Sequence, residues 1–200
     1  MLLLAAVVAG GCSSSWSSDE INARVLDAST GKPVSGVIVE VNWQLSGMEG
    51  YPSGQLAVFE TVTDDSGRFH IPAWGPRKVS AWVTVYGDQP VARILKRGYE
   101  PLIVYEQIND PGENSMRARS HMRPEISGKD LMLVPVREGS LNDYAQKVDR
   151  LWSSVVTAFV TTRCDRKQVP KLFAELKALK DMFDEAGVHT LLSSQEKLCR

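Results

Sequence analysis

The chain has 200 residues, 43% of them hydrophobic and 24% charged, which suits one ordinary globular domain with an appendage. Its net charge of -1 gives no overall electrostatic pull toward nucleic acid or an anionic surface, so neither class of partner is expected from charge. The three cysteines, at 12, 164 and 199, form no C-x-x-C pair, and the three histidines have no metal-ligand spacing on one element; no metal and no cofactor is expected.

Residues 1–11 form an uncharged run of Leu, Ala, Val and Gly, too short to span a bilayer as a helix but of the length of a signal-peptide core. It ends in Ala9, Gly10 and Gly11 before Cys12. The stretch resembles a bacterial lipoprotein signal with its lipobox, which implies that Cys12 is lipidated and begins the mature chain. The alternative is a signal peptide cleaved elsewhere. Residues 12–19, rich in Ser, are expected to be a polar tether. Acyl chains contribute about 0.8 kcal/mol per buried methylene and would hold the protein on a membrane. Ser13 after the Cys resembles an outer-membrane sorting pattern, which implies an outer-membrane lipoprotein facing the periplasm.

From residue 20 the apolar period becomes two. Ile21, Ala23 and Val25 alternate with polar neighbours, and Ala28 to Pro33 make a turn. Val37, Val39, Val41 and Trp43 share one strand face, opposite Ile38, Glu40, Asn42 and Gln44. A Gly-rich loop follows at 46–54. Residues 56–63 and 68–72 read as the arms of a hairpin around Asp64, Asp65, Ser66 and Gly67. Further strands are expected at 78–86, 91–95, 102–105 and 130–136. Seven or eight short strands punctuated by turns argue for an antiparallel β-sandwich over residues 20–137.

The order R-V-L-D-A-S-T-G-K-P-V-S-G-V-I-V-E-V, then T-V-T-D-D-S-G-R-F-H-I-P, then R-G-Y-E-P resembles the carboxypeptidase regulatory-like domain, a prealbumin-like (transthyretin-like) sandwich. The resemblance implies structural roles for Gly31, Pro33, Gly67 and Phe69, and it implies fold rather than activity. Hydroxyisourate hydrolase shares this fold, but Arg24 stands where that enzyme has a catalytic His, and the chain continues into helices in place of a terminal Y-R-G-S. Some Cna-B-type adhesin domains form an internal Lys–Asn bond; with no Lys in the first strand, none is expected here.

Residues 106–128 are polar and irregular, and Arg117, Arg119, His121 and Arg123 cluster there. They form a candidate binding loop for an anion or partner, or else a solvated loop. Beyond Gly139 the period becomes 3.6. One helix carries Leu141, Tyr144, Val148, Leu151, Trp152, Val155 and Phe159 on one side, behind Ser140 as N-cap. A second opens at Pro170 and ends at Gly187, and a short third follows a capping box of Ser193 and Glu196. The fold class is therefore mainly β, with two long and one short C-terminal helices in residues 138–200. With Cys12 lipidated in an oxidising compartment, Cys164 and Cys199 make an even pair. A disulfide between them closes a loop of about 35 residues and contributes roughly 3–4 kcal/mol; the alternative is two buried thiols.

No nucleophile, base and oxyanion site assemble in the sequence. The expected role is a non-catalytic, membrane-anchored envelope module that binds an envelope protein or a polysaccharide. One alternative is carbohydrate or cell-wall binding through Trp43, Tyr51, Trp74 or Trp82, unless these are buried among the valines. Another is a divergent hydrolase on a transthyretin-like fold, which would need His70 or His121 in a pocket beside an acid.

Overall fold

The computed structural model describes residues 13–47, 50–80, 82–85, 89–105, 121–159 and 167–194. Cys12, Arg117, Arg119, Cys164 and Cys199 lie outside them, and so do the lipidation and the disulfide expected of those cysteines. The described chain is mostly strand, with helices at its C-terminal end. The strands are β1 Ser13–Ser18, β2 Ile21–Asp27, β3 Ile38–Gly47, β4 Pro52–Val62, β5 Arg68–Ile71, β6 Trp74–Ser80, β7 Val83–Val85, β8 Val91–Leu95, β9 Leu102–Tyr105, β10 His121–Met122 and β11 Asp130–Leu133. The helices are α1 Leu141–Phe159 and α2 Pro170–Glu185, followed by a 3-10 turn, Leu191–Ser194.

These strands form three sheets, ordered β10-β1-β6, β11-β2-β5 and β4-β3-β8-β9, with β7 also paired to β3. Two pairings, β1 with β10 and β2 with β11, are parallel. This departs from the expected antiparallel set of seven or eight strands. Parallel neighbours need long connections, and β10 and β11 reach β1 and β2 only after the chain has built the third sheet. The first two sheets repeat one order in successive segments, so each strand of one continues into the other through 19–20, 72–73 or 123–129.

Residues 13–18 are not a tether. They form β1, which pairs antiparallel with β6, and Trp16 is 2% exposed in the main core. Serine tolerates an extended backbone, and one buried indole anchors the segment. The two arms of the expected hairpin also part company. Asp64 N bonds to Arg68 O at 2.9 Å and Gly67 N to Asp64 O at 2.9 Å, so the turn forms. Beyond it β4 pairs with β3, whereas β5 pairs with β2 in another sheet. The single strand expected at 78–86 divides likewise into β6 on β1 and β7 on β3.

Three stretches distant in sequence meet at one end of the main core. The Asp27 carboxylate accepts hydrogen bonds from Ser29 N (2.8 Å), Ser29 Oγ (2.6 Å), Thr30 N (2.8 Å) and Tyr99 OH (3.0 Å). Gly67, at φ 72°, places its carbonyl 2.8 Å from Val25 N. The Ser29 hydroxyl is the main influence holding the Asp27 carboxyl far below the usual carboxylate range; the Thr30 and Ser29 amides and Tyr99 reinforce it against partial burial. A depressed folded-state value stabilises the fold fully above the unfolded value, about pH 4, and the contribution is lost as pH falls through the folded value. Denaturant midpoints measured from pH 7 to pH 2 should fall, and fall less steeply in Asp27→Asn. Equal slopes would remove Asp27 as a source of acid sensitivity.

Strand alternation gives the third sheet two faces. Val39, Val41 and Trp43 point into the main core, where Trp43 meets Trp74 and Phe59 edge-on at 5.2 and 6.0 Å. The other face is covered by the helices. Ile38, Val58, Leu95 and Ile103 join the apolar stripes of α1 and α2 in a second core. Amphipathic helices in proteins owe most of their stability to such packing. Val169 offers no side-chain cap to α2; Glu60 on β4 supplies one, accepting from Lys171 N (3.0 Å) and Leu172 N (2.7 Å). Gly187 ends the helix at φ 69°, with Val188 N bonded to Phe183 O at 2.8 Å.

Candidate functional site

The helix-facing side of β3 carries Glu40, Asn42 and Gln44 in a row, because its alternate residues are all needed in the main core. A polar row under a helix has to find partners. Glu40 lies opposite Arg93 of β8 in register, and Arg93 Nη1 donates to Glu40 Oε2 at 2.7 Å with both side chains excluded from solvent. Arg93 also donates to Ser154 Oγ at 2.8 Å and to the Ser154 carbonyl at 3.0 Å, which fixes α1 over the pair. Burial pushes the Glu40 carboxyl above its usual range, against the pull of Arg93. Asn42 is buried on the same face, and its side chain adds to the pull of Arg93 on the Glu40 carboxyl.

Beside Ser154 an open cleft of about 760 Å³ lies between α1 and the third sheet. That lies within the roughly 300–1,000 Å³ of small-molecule sites. One wall is α1, where Gln146, Arg150, Ser153 and Thr157 fall on one face at helical spacing, away from the apolar stripe. The opposite wall includes Gln44, Leu45 and Tyr105, with Arg93 between the two. Tyr105 OH donates to Ser154 Oγ at 3.2 Å. Asp149 Oδ1 accepts from Leu191 N at 2.8 Å and so ties the 3-10 turn against α1; partial burial raises its carboxyl above the usual range, against the Leu191 and Leu192 amides.

The described members of the candidate binding loop, His121 and Arg123, do not line this cleft. His121 lies between Ser17 Oγ and Asp19 Oδ1, each 2.8 Å from a ring nitrogen, and Arg123 Nε is 3.8 Å from Asp19 Oδ2. The Ser, His and Asp are of the types that serve nucleophilic catalysis, but His121 and Asp19 are half-exposed on β10 and just beyond β1, outside the cleft lining. Here they tie β10 to β1, and the anion that His121 and Arg123 face is the protein's own Asp19. His70 is likewise exposed, with Nδ1 2.9 Å from Asn22 Oδ1. Arg24 is paired with Asp130 across the parallel strands at 2.9 and 2.7 Å. Of the four candidate aromatics, Trp43 and Trp74 are buried, while Tyr51 and Trp82 are 70% and 69% exposed.

Arg93, Ser154, Tyr105 and the polar face of α1 escaped the sequence reading. The available signal was an Arg inside the apolar run V-A-R-I-L, together with a Glu on a strand whose other face is all apolar.

No protein-family model and no curated protein matches the chain. Among solved structures it is similar to 3-chlorocatechol 1,2-dioxygenase from Rhodococcus opacus 1CP, at 15% identity and a TM-score of 0.35 over 64% of this chain and 62% of that one. A 9R-lipoxygenase from Cyanothece PCC8801 matches at 15% identity and a TM-score of 0.36, over 84% of this chain and 28% of that one. The C-terminal domain of the shaft pilin SpaA from Lactobacillus rhamnosus GG matches at 11% identity and a TM-score of 0.26, over 62% of this chain and 99% of that one. The chain spans 56–62% of the length of the first three dioxygenases. Nothing about reaction or ligand transfers from likenesses of this degree.

Proposed function

We propose that the chain is a non-catalytic binding module of the cell envelope, held on the membrane by lipid on Cys12 and built on a carboxypeptidase regulatory-like sandwich. The observation that carries the binding role is the cleft between α1 and the outer face of the third sheet, with a polar helix wall and an aromatic opposite. The family reading is supported by the meeting of its three motifs, in which Asp27 joins Tyr99 and Gly67 joins Val25. The signal-like residues 1–11 and the small residues before Cys12 support export and anchoring, with the outer membrane as the proposed site. An oxidising compartment supports a disulfide between Cys164 and Cys199.

The mature protein, solubilised from membranes, should be retained on native envelope fractions. Ser153→Trp places an indole in the cleft from an exposed helical position and should reduce that retention to background. Retention that is unchanged by filling the cleft would overturn the reading.

A further inference from the structure

The cleft's chemistry narrows the ligand, granted the binding role proposed above. Its charges cancel. Arg93 is spent on Glu40, while Arg150 and Asp149 contribute one charge of each sign. An anion therefore meets no surplus cation. Gln44 and Gln146 present amides that donate and accept, while Ser153 and Thr157, whose hydroxyls donate to the Asp149 and Ser153 carbonyls, present acceptor oxygens. An apolar ligand would strip water from the Gln44 amide and the Gln146 N–H groups and give them no partner in return. Beside them Tyr105 is 57% exposed, and the bond from its hydroxyl to Ser154 steadies the ring. A flat apolar surface next to closely spaced donors and acceptors suits a ligand with one C–H face and hydroxyls around its edge.

We propose that the cleft binds a neutral saccharide, with a sugar ring laid against Tyr105 and its hydroxyls shared among Gln44, Gln146, Arg150 and Asp149. This moves saccharide recognition away from the most exposed aromatics. Tyr51 and Trp82 flank the end of β3, where Gly47 N bonds to Tyr51 O at 2.9 Å and Gly47 pairs with Val83. Two groups separated by a strand do not form one stacking surface.

The test is an NMR titration of the isotope-labelled mature protein with neutral oligosaccharides of glucose and of N-acetylglucosamine, in α and β linkages. At least one should give saturable shifts at Tyr105, Gln146, Arg150 and Ser153. Tyr105→Ala should weaken binding about tenfold or more, and Tyr105→Trp should retain it. Saturable shifts centred on Tyr51 and Trp82 would overturn the assignment. So would silence across the panel: if Ser153→Trp still abolishes envelope retention, the ligand class is wrong and the module stands, whereas loss of both results removes the module as well.

Discussion

Arg93→Met should destabilise the protein by about 3–5 kcal/mol at neutral pH, and Glu40→Leu with Arg93→Met should recover most of that loss. Glu40 and Arg93 face each other across β3 and β8 at 2.7 Å, wholly out of solvent. Removing the guanidinium leaves a carboxylate with Glu60 across β4 in register, and with Arg93's bonds to Ser154 gone. The charge then escapes by taking a proton. A folded-state carboxyl value raised above the unfolded one, about 4.3, makes stability rise as pH falls toward it. Urea midpoints of Arg93→Met should thus increase from pH 7 to pH 5. The double variant has no such charge and should lack this increase. If the single and double variants are equally unstable and share one pH dependence, the pair is not the source.

Gly67→Ala should cost about 3 kcal/mol or more, against about 1–2 kcal/mol for Gly31→Ala. Both glycines have positive φ, 72° and 69°. They differ in what surrounds them. A Cβ on Gly67 would sit 2.4 Å from Val25 O, 3.1 Å from Val34 N and 3.2 Å from Pro33 Cβ, whereas nothing lies within 4 Å of one on Gly31. Relief requires the Gly67 turn to withdraw, which breaks the bond from Val25 N and disturbs the one from Val34 N to Val25 O. Equal midpoints for the two variants in thermal or urea denaturation would show that the close approach is not a constraint.

Sequence legibility followed the range of the interactions involved. The turn at 64–67 was readable because Asp64, Ser66 and Gly67 bond within a few residues of one another. The destinations of its two arms were not, since β3 and β2 are partners drawn from elsewhere in the chain. Alternation in β3 identified the inner face at Val39, Val41 and Trp43. It could not say that α1 covers the face with Glu40, which period alone leaves as plausibly solvent-facing. The helical stripes were clear for the same local reason. Ser13–Ser18 looked like a tether by composition, and only Trp16 spoke for a strand. The cleft has no local motif because β3, β4, β9 and α1 each supply a part.

The place of β1 bears on how the protein would carry load. It lies between β10 and β6, bonded on both sides, and begins one residue after Cys12. Under the anchoring proposed here there is no leash between lipid and fold, so thermal drag on the domain passes straight into β1. A pull along that strand loads its ladders in shear, many bonds at once, rather than peeling them singly. The module would stand at the bilayer with little swing, which fixes the height and bearing at which its cleft meets a ligand.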